Sequence, residues 1–538
     1  MNVLPDGVSV FIDDWLLITG ILLFFTAITV PLFSRLKTVP STGSGQRHRS
    51  VISPTSLFLP LFLIISLLLR LAYISKALFP SYFDSAQHYM LINNIMSNGA
   101  PQIFEIWRTD YYHLGFHLLA AFFASIFKVE ITTVMLVLGQ IILAWIPLPL
   151  FFIIKQLTRS NWAGMFAVSL SAFGWYMPAH GVDWGKYPAL MSLGLILFVL
   201  SLVILFAQEK DRLQPGKSNL FLALIGVSVL FTVFVHSRSL IVLGFVAIAW
   251  VGSELWMKFP KFPRHAIFAL LLIVLIFVVT TIQGSDILSL LFDPYLDGGM
   301  LITSLVAILS ILAYRSYPQP TFINLLAIDL LLISLFIPVN GLIPKQPHLT
   351  LMDRPYVEMI LFMPLSLLGG LGLAGLENKV GRKYGKYLAL IFIGGIMYHA
   401  FANHNFYPSD CCVMVGNDDA AAMVWMEDQL PVEVRIGVAS TELKVIARDV
   451  VEGWVGADAG VWITPLIART TVVLPNELAF DKKAGLDSIC RKRISHLFVG
   501  ELGQPFDRTK LIARSEWYRP LLSMPRTGVY EVIGCKDG

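Results

Sequence analysis

Between Phe79 and His117 the chain reads FPSYFDSAQHYMLINNIMSNGAPQIFEIWRTDYYHLGFH, a long polar break in an otherwise apolar N-terminal half. It gathers Asp84, His88, Glu105, Arg108, Asp110, His113 and His117. Ionisable side chains crowded between membrane spans are costly to keep, so each is a functional candidate. Asp84 and His88 stand four apart in a stretch that reads as helix, which puts both on one face, and His113 and His117 repeat the spacing. Two chemistries suit this set. The carboxylate of Asp84 with the imidazoles of His88, His113 and His117 could hold a divalent metal such as Mg or Mn. Asp84 could instead act without metal as a general base, taking the proton of an acceptor hydroxyl while that hydroxyl attacks carbon, with His88 beside it. The second role is preferred. A plainer reading makes the histidines interfacial hydrogen-bonding groups in a Tyr- and Trp-rich region.

Three further polar islands lie between apolar runs. Pro178 to Pro188, PAHGVDWGKYP, carries His180, Asp183 and Lys186. Pro344 to Tyr356, PKQPHLTLMDRPY, carries Lys345, His348, Asp353 and Arg354. His236 and Arg238 mark a fourth point, between two spans. A guanidinium binds phosphate oxygens in a bidentate fork, so Arg354 suits an anionic phosphate, helped by Lys186 or Lys345. An arginine snorkelling to lipid headgroups fits it nearly as well. His113, His117, Asp183, His236 and Arg238 remain for positioning an acceptor.

These islands need a membrane scaffold, and the composition supplies one. Of 538 residues, 56% are hydrophobic and only 14% charged, with a mean hydropathy of +0.70. The apolar runs indicate a polytopic membrane protein of about twelve spans, each near 20 residues. The first run, Trp15 to Phe33, follows Asp6, Asp13 and Asp14 without a basic leading region, and reads as a span, not a signal peptide. Arg35, Lys37, Arg47 and Arg49 follow it and are expected in the cytoplasm. Leu114 to Phe127 is too short to cross; once it is set aside, the basic loops at Lys155 and Arg159, Lys210 to Lys217, Lys258 to Arg264, Arg315 and Lys379 to Lys386 all fall on the cytoplasmic side. The four islands and both termini then lie outside. The net charge of +4 is scattered over loops and implies no nucleic-acid partner.

The expected fold is mainly α: a transmembrane helical domain over residues 1–402 and an extracytoplasmic α/β domain over 403–538. In the latter, Asp418 to Gln429 and Lys482 to Arg493 read as helices, and Val434 to Ala439, Thr471 to Leu474, His496 to Val499 and Val529 to Ile533 as strands. It contains no Walker loop, dinucleotide fingerprint or nucleophile elbow, so a packed accessory lid is expected. All four cysteines, Cys411, Cys412, Cys490 and Cys535, fall here. Three connectivities are open, and vicinal pairing of Cys411 with Cys412 is expected to be strained.

The order of span, Asp-containing outer loop, short apolar helix, span, basic turn and span over residues 56–402 resembles the GT-C superfamily of polytopic glycosyltransferases. FDSAQHYMLINNIMSNG is similar to that family's D-E-A-x-Y-like helix start, and YYHLGFHLL to its Y-P-P-x-x-x-x-L stretch without the prolines. The resemblance implies that Asp84 takes the place of the catalytic or metal-binding carboxylate. It also implies that the sugar comes from a polyprenyl phosphate or diphosphate in the membrane lipid. Ser85 stands where many members carry a second acid, which leaves open substitution by His88, catalysis with one acid, or an inactive scaffold. A transporter or flippase of lipid-linked saccharides is the rival from another class; such proteins tend to place their charges near the midplane and to carry inverted repeats.

Overall fold

The computed structural model describes residues 54–99, 105, 113–339, 350–444 and 453–535. The span expected at Trp15 to Phe33, its basic loop, and Arg108, Asp110, Lys345 and His348 lie outside these residues.

Apolar runs become helices because a backbone in hydrocarbon must satisfy its own hydrogen bonds. The helices are α1 (Pro54–Ile74), α2 (Tyr82–Asn98), α3 (Gly115–Phe127), α4 (Ile131–Trp145), α5 (Pro147–Thr158), α6 (Asn161–Phe173) and α7 (Tyr187–Glu209). They continue as α8 (Pro215–Val235), α9 (Ser239–Lys258), α10 (Lys261–Gln283), α11 (Met300–Ser316) and α12 (Pro318–Ser334). Last come α13 (Arg354–Ile360), α14 (Phe362–Val380) and α15 (Arg382–Asn403). Among the described residues seven helical stretches are long and apolar enough to cross a membrane, and four shorter apolar helices accompany them. At 1.5 Å per residue, α7 is about 34 Å long. Proline opens α5, α8 and α12 at their first helical positions, where its missing N–H costs nothing.

The 13 residues of α3 reach only about 20 Å. Both its ends lie beside α2: His117 in its first turn meets His88, while burial and the charge of Glu130, just past its last turn, push up the Tyr89 phenol of α2. It therefore runs along α2. Lys155, Lys258, Lys261, Arg315, Lys379 and Arg382 sit in terminal turns at one end of the bundle, and the Asp84, Asp183, His236 and Asp353 segments occupy the other.

The bundle core is α14, with α11 and α6 against it. A Cβ at Gly375 of α14 would come within 2.7 Å of the Leu312 carbonyl oxygen on α11, so the two backbones touch as small-residue faces of membrane helices do.

Beyond α15, α16 (Asn417–Gln429) precedes a sheet built from β1 (Arg435–Leu443), β2 (Gly453–Gly456), β3 (Thr470–Pro475), β4 (His496–Val499), β5 (Tyr518–Ser523) and β6 (Gly528–Val532). Its order is β2-β1-β4-β6-β5, with β3 also on β1. β1 is parallel to β3 and β4, and the remaining pairs are antiparallel. Disulfides join Cys411 to Cys412 and Cys490 to Cys535, so the vicinal pairing expected to be unfavourable is the one the chain adopts. The region is fastened to the bundle beside the Asp84 loop. Trp462 is fully buried between Phe79 and Tyr89, with ring centroids at 5.2 and 5.7 Å, and the Tyr82 amide donates to the Cys412 carbonyl at 2.9 Å.

Candidate active site

Asp84 occupies the first turn of α2, and its Oδ2 accepts a close hydrogen bond from Lys186 Nζ. Lys186 stands immediately before α7, at the end of the 178–186 loop. Burial alone would lower its pKa, but Asp84 and Asp353 outweigh that and the net shift is upward. Ser85 is wholly buried, donates to the Ser81 carbonyl, and packs directly against Gly185, which holds a left-handed φ of 65°. That tight contact leaves no room at position 85 for a longer acid.

A second carboxylate comes from elsewhere. Asp353 caps α13, its Oδ1 accepting from the Tyr356 amide at 2.9 Å, and its Oδ2 lies 2.7 Å from an Nη of Arg238. Arg238 lies 6.0 Å over the Tyr356 ring. His236 stacks on the other partner of this group, with its ring 4.7 Å from Tyr356 at 9°, and His113 follows 4.4 Å from His236. Arg354 is engaged with Glu358, Nη1 to Oε2 at 3.0 Å, and both are largely buried.

The histidines form a neutral wall. His88 Nδ1 and His117 Nε2 share a hydrogen bond of 2.9 Å. Burial, then the positive charge of Lys186 and the neighbouring His113, drives His88 down to about 3. Burial and Arg238 take His113 to about 4. His117 and His236 are pushed well below the usual range by burial and by the surrounding imidazoles.

The four residues expected to share a metal are engaged separately. Asp84 turns to Lys186, His88 and His117 spend ring nitrogens on each other, and His113 stacks toward His236. Among the described residues the donor atoms that do converge belong to His180, Cys411 and Cys412, two of which are joined in a disulfide. As placed, the four side chains do not present a shared set of ligand atoms to a divalent ion.

Asp183 is drawn into a brace. Its Oδ1 accepts from the Tyr73 hydroxyl at 2.9 Å and the Ser409 amide at 3.1 Å, and its Oδ2 meets His180 Nδ1 at 3.0 Å. It ties α1, the 178–186 loop and the segment after α15 together.

Two cavities flank these residues. A polar one of about 460 Å³ is lined in part by Arg70, Tyr73, His180, Asp183, Arg354 and His404. An apolar groove of about 310 Å³ runs between α5, α7, α9, α12 and α14. Ile196, Val242 and Ile360 line it, each one helical turn beyond Ser192, Arg238 and Tyr356, and Ser192 and Tyr356 share a hydroxyl contact of 3.2 Å. The apolar groove thus rises to the Arg238 and Tyr356 pair. Tyr356 and Ser192 carried no sequence signal, because a tyrosine or serine at a span boundary is ordinary; Asp353 was visible only as one member of a polar island.

The fold is that of the GT-C membrane glycosyltransferases, and the chain is a multi-pass membrane protein. It is similar to the archaeal oligosaccharyltransferase AglB from Archaeoglobus fulgidus, solved with an inhibitory peptide and a dolichol-phosphate, at 12% identity and a TM-score of 0.50 over 82% of this chain and 69% of that one. It is also similar to the arabinofuranosyltransferase AftD from Mycobacteria, at 13% identity and a TM-score of 0.51 over 90% of this chain but only 40% of AftD. No curated protein matches it. Residues 13–322 match a family of unknown function, DUF6541, and the chain belongs to that family.

Proposed function

We propose that this protein is an inverting glycosyltransferase of a prokaryotic cytoplasmic membrane, moving a sugar from a polyprenyl phosphate or diphosphate to an acceptor on the extracytoplasmic face. One observation carries the reading: an apolar groove between the helices leads, one helical turn on, to Arg238 and the Asp353 carboxylate paired with it. A lipid-linked sugar has that form, an apolar chain ending in phosphate. Supporting it, the basic helix ends lie opposite the site, which the positive-inside rule places outward.

The acceptor hydroxyl attacks the anomeric carbon, its proton passes to Asp84, and the bond from that carbon to the phosphate oxygen breaks. Lys186 holds the Asp84 carboxylate in place through their close hydrogen bond. Negative charge grows on the departing phosphate, and Arg238 at the head of the groove, with Lys186, neutralises it. Arg354 supports from behind through Glu358, and Asp353 fixes Arg238 as the second acid of the site. The neutral wall of His88, His113, His117 and His236 orients sugar and acceptor hydroxyls, with Asp183 holding the loops. The reading divides kinetically. Arg238→Ala should raise KM for the donor and lower kcat together, whereas Ile360→Trp, which fills the groove, should raise KM with kcat preserved. Unchanged donor KM in both variants would remove the groove from the account.

A further inference from the structure

At the end of the bundle opposite Asp84 lies a separate cavity of about 260 Å³, formed where the α5–α6, α11–α12 and α14–α15 turns meet. Arg159, Arg382 and Lys386 line it together with Trp162, Tyr317 and Glu377. Arg159 projects from the left-handed end of α5, at φ 59°. Arg382 and Lys386 are four apart at the start of α15 and so share a face; Lys386 lies 5.7 Å over the Trp162 ring. Among the described residues none of these three cations is in an ion pair. Glu377 is only 8% exposed, and its Oε1 has no hydrogen-bond partner among the described residues. Ser160 and the charge of Arg382 act on this carboxylate, but its Oε1 remains a buried acceptor, which is expensive, and one negative charge among three cations leaves room for a further anion.

We propose that this cavity binds the headgroup of an amine-bearing phospholipid, of phosphoethanolamine type, with the phosphate taken by Arg159, Arg382 and Lys386 and the ammonium by Glu377. A headgroup of that kind supplies both charges at the spacing of two carbons, so that each set meets a partner of opposite sign. A purely anionic headgroup would leave Glu377 facing phosphate. The face of α15 turned away from the cavity, where Tyr384, Tyr387 and Ile391 are 65%, 54% and 65% exposed, is left for the bilayer, so the cavity at the start of this helix opens at the membrane's edge, where a lipid headgroup is at hand. Basic pockets between spans on the cytoplasmic side bind headgroups in this way, and the proposal stands apart from the chemistry at Asp84.

The test is native mass spectrometry of the full chain released from vesicles of equal phosphatidylethanolamine and phosphatidylglycerol. Wild type should retain phosphatidylethanolamine in preference. Arg382→Gln with Lys386→Gln, both at the surface, should weaken retention about thirtyfold. Glu377→Gln should keep lipid but lose the preference. Equal retention by wild type and the double variant, a wild-type preference for phosphatidylglycerol, or displacement by millimolar inorganic phosphate would each overturn the proposal, the last by marking a free-phosphate site. Should Glu377→Gln fail to fold, the double variant alone decides.

Discussion

Lys186 answers to two carboxylates, Asp84 and Asp353, while Arg354 is committed to Glu358, so two cations that look alike in sequence should behave differently when lost. Arg354→Met strands a buried carboxylate and should cost about 3–5 kcal/mol of stability; adding Glu358→Gln should return most of it, read as thermal unfolding in detergent. If Arg354→Met unfolds like wild type but binds donor poorly, the arginine holds phosphate and not Glu358. The histidine wall makes a second demand. A histidine whose folded pKa lies below its unfolded value of about 6.5 is buried neutral, so the unfolded chain takes up more protons and stability falls as pH drops. For His88, held near 3 by burial, Lys186 and His113, the loss at pH 5 is about 2 kcal/mol. Unfolding temperatures at pH 7 and 5 should therefore diverge in wild type, and less so in His88→Gln.

At the level of elements, close approach of α14 to α11 depends on small residues. Gly375→Leu should force the helices apart and lower the unfolding temperature by several degrees, with Gly375→Ala intermediate, as thermal melts would show. Much of this architecture was legible. Period and length located the spans, and thirteen residues were too few for α3 to cross. Alternation found β1, β3, β4 and β6, but not β2 or β5: GWVG is too short to show a period, and YRPLLS carries a proline and an arginine that mask its strand character. The candidate site was legible as polar islands because charge between spans is conspicuous. Their pairing was not. Asp353 meets Arg238 and Lys186 meets Asp84 across more than 100 residues, and nothing in spacing reports which faces of distant helices meet. The partners of the four residues proposed for a metal were hidden for the same reason, since a four-residue interval puts two side chains on one face without saying what stands opposite.

For the whole molecule, the basic helix ends and the site lie at opposite poles, and the positive-inside rule turns this into a prediction of orientation. A reporter fused after residue 160 should lie in the cytoplasm and one after residue 538 outside; an outward signal at 160 would dismantle the shared outer site. The most direct measurement uses vesicles holding a labelled polyprenyl-phosphate sugar and an acceptor, with wild type beside Asp84→Asn, scored for new glycan and for movement of lipid-linked sugar between leaflets. The account expects glycan from wild type and a loss of about 10²- to 10⁴-fold in the Asn variant, which folds normally but lacks the proton acceptor. Translocation without glycan, equal in both proteins, would contradict it and identify a flippase; neither activity in wild type would leave a scaffold.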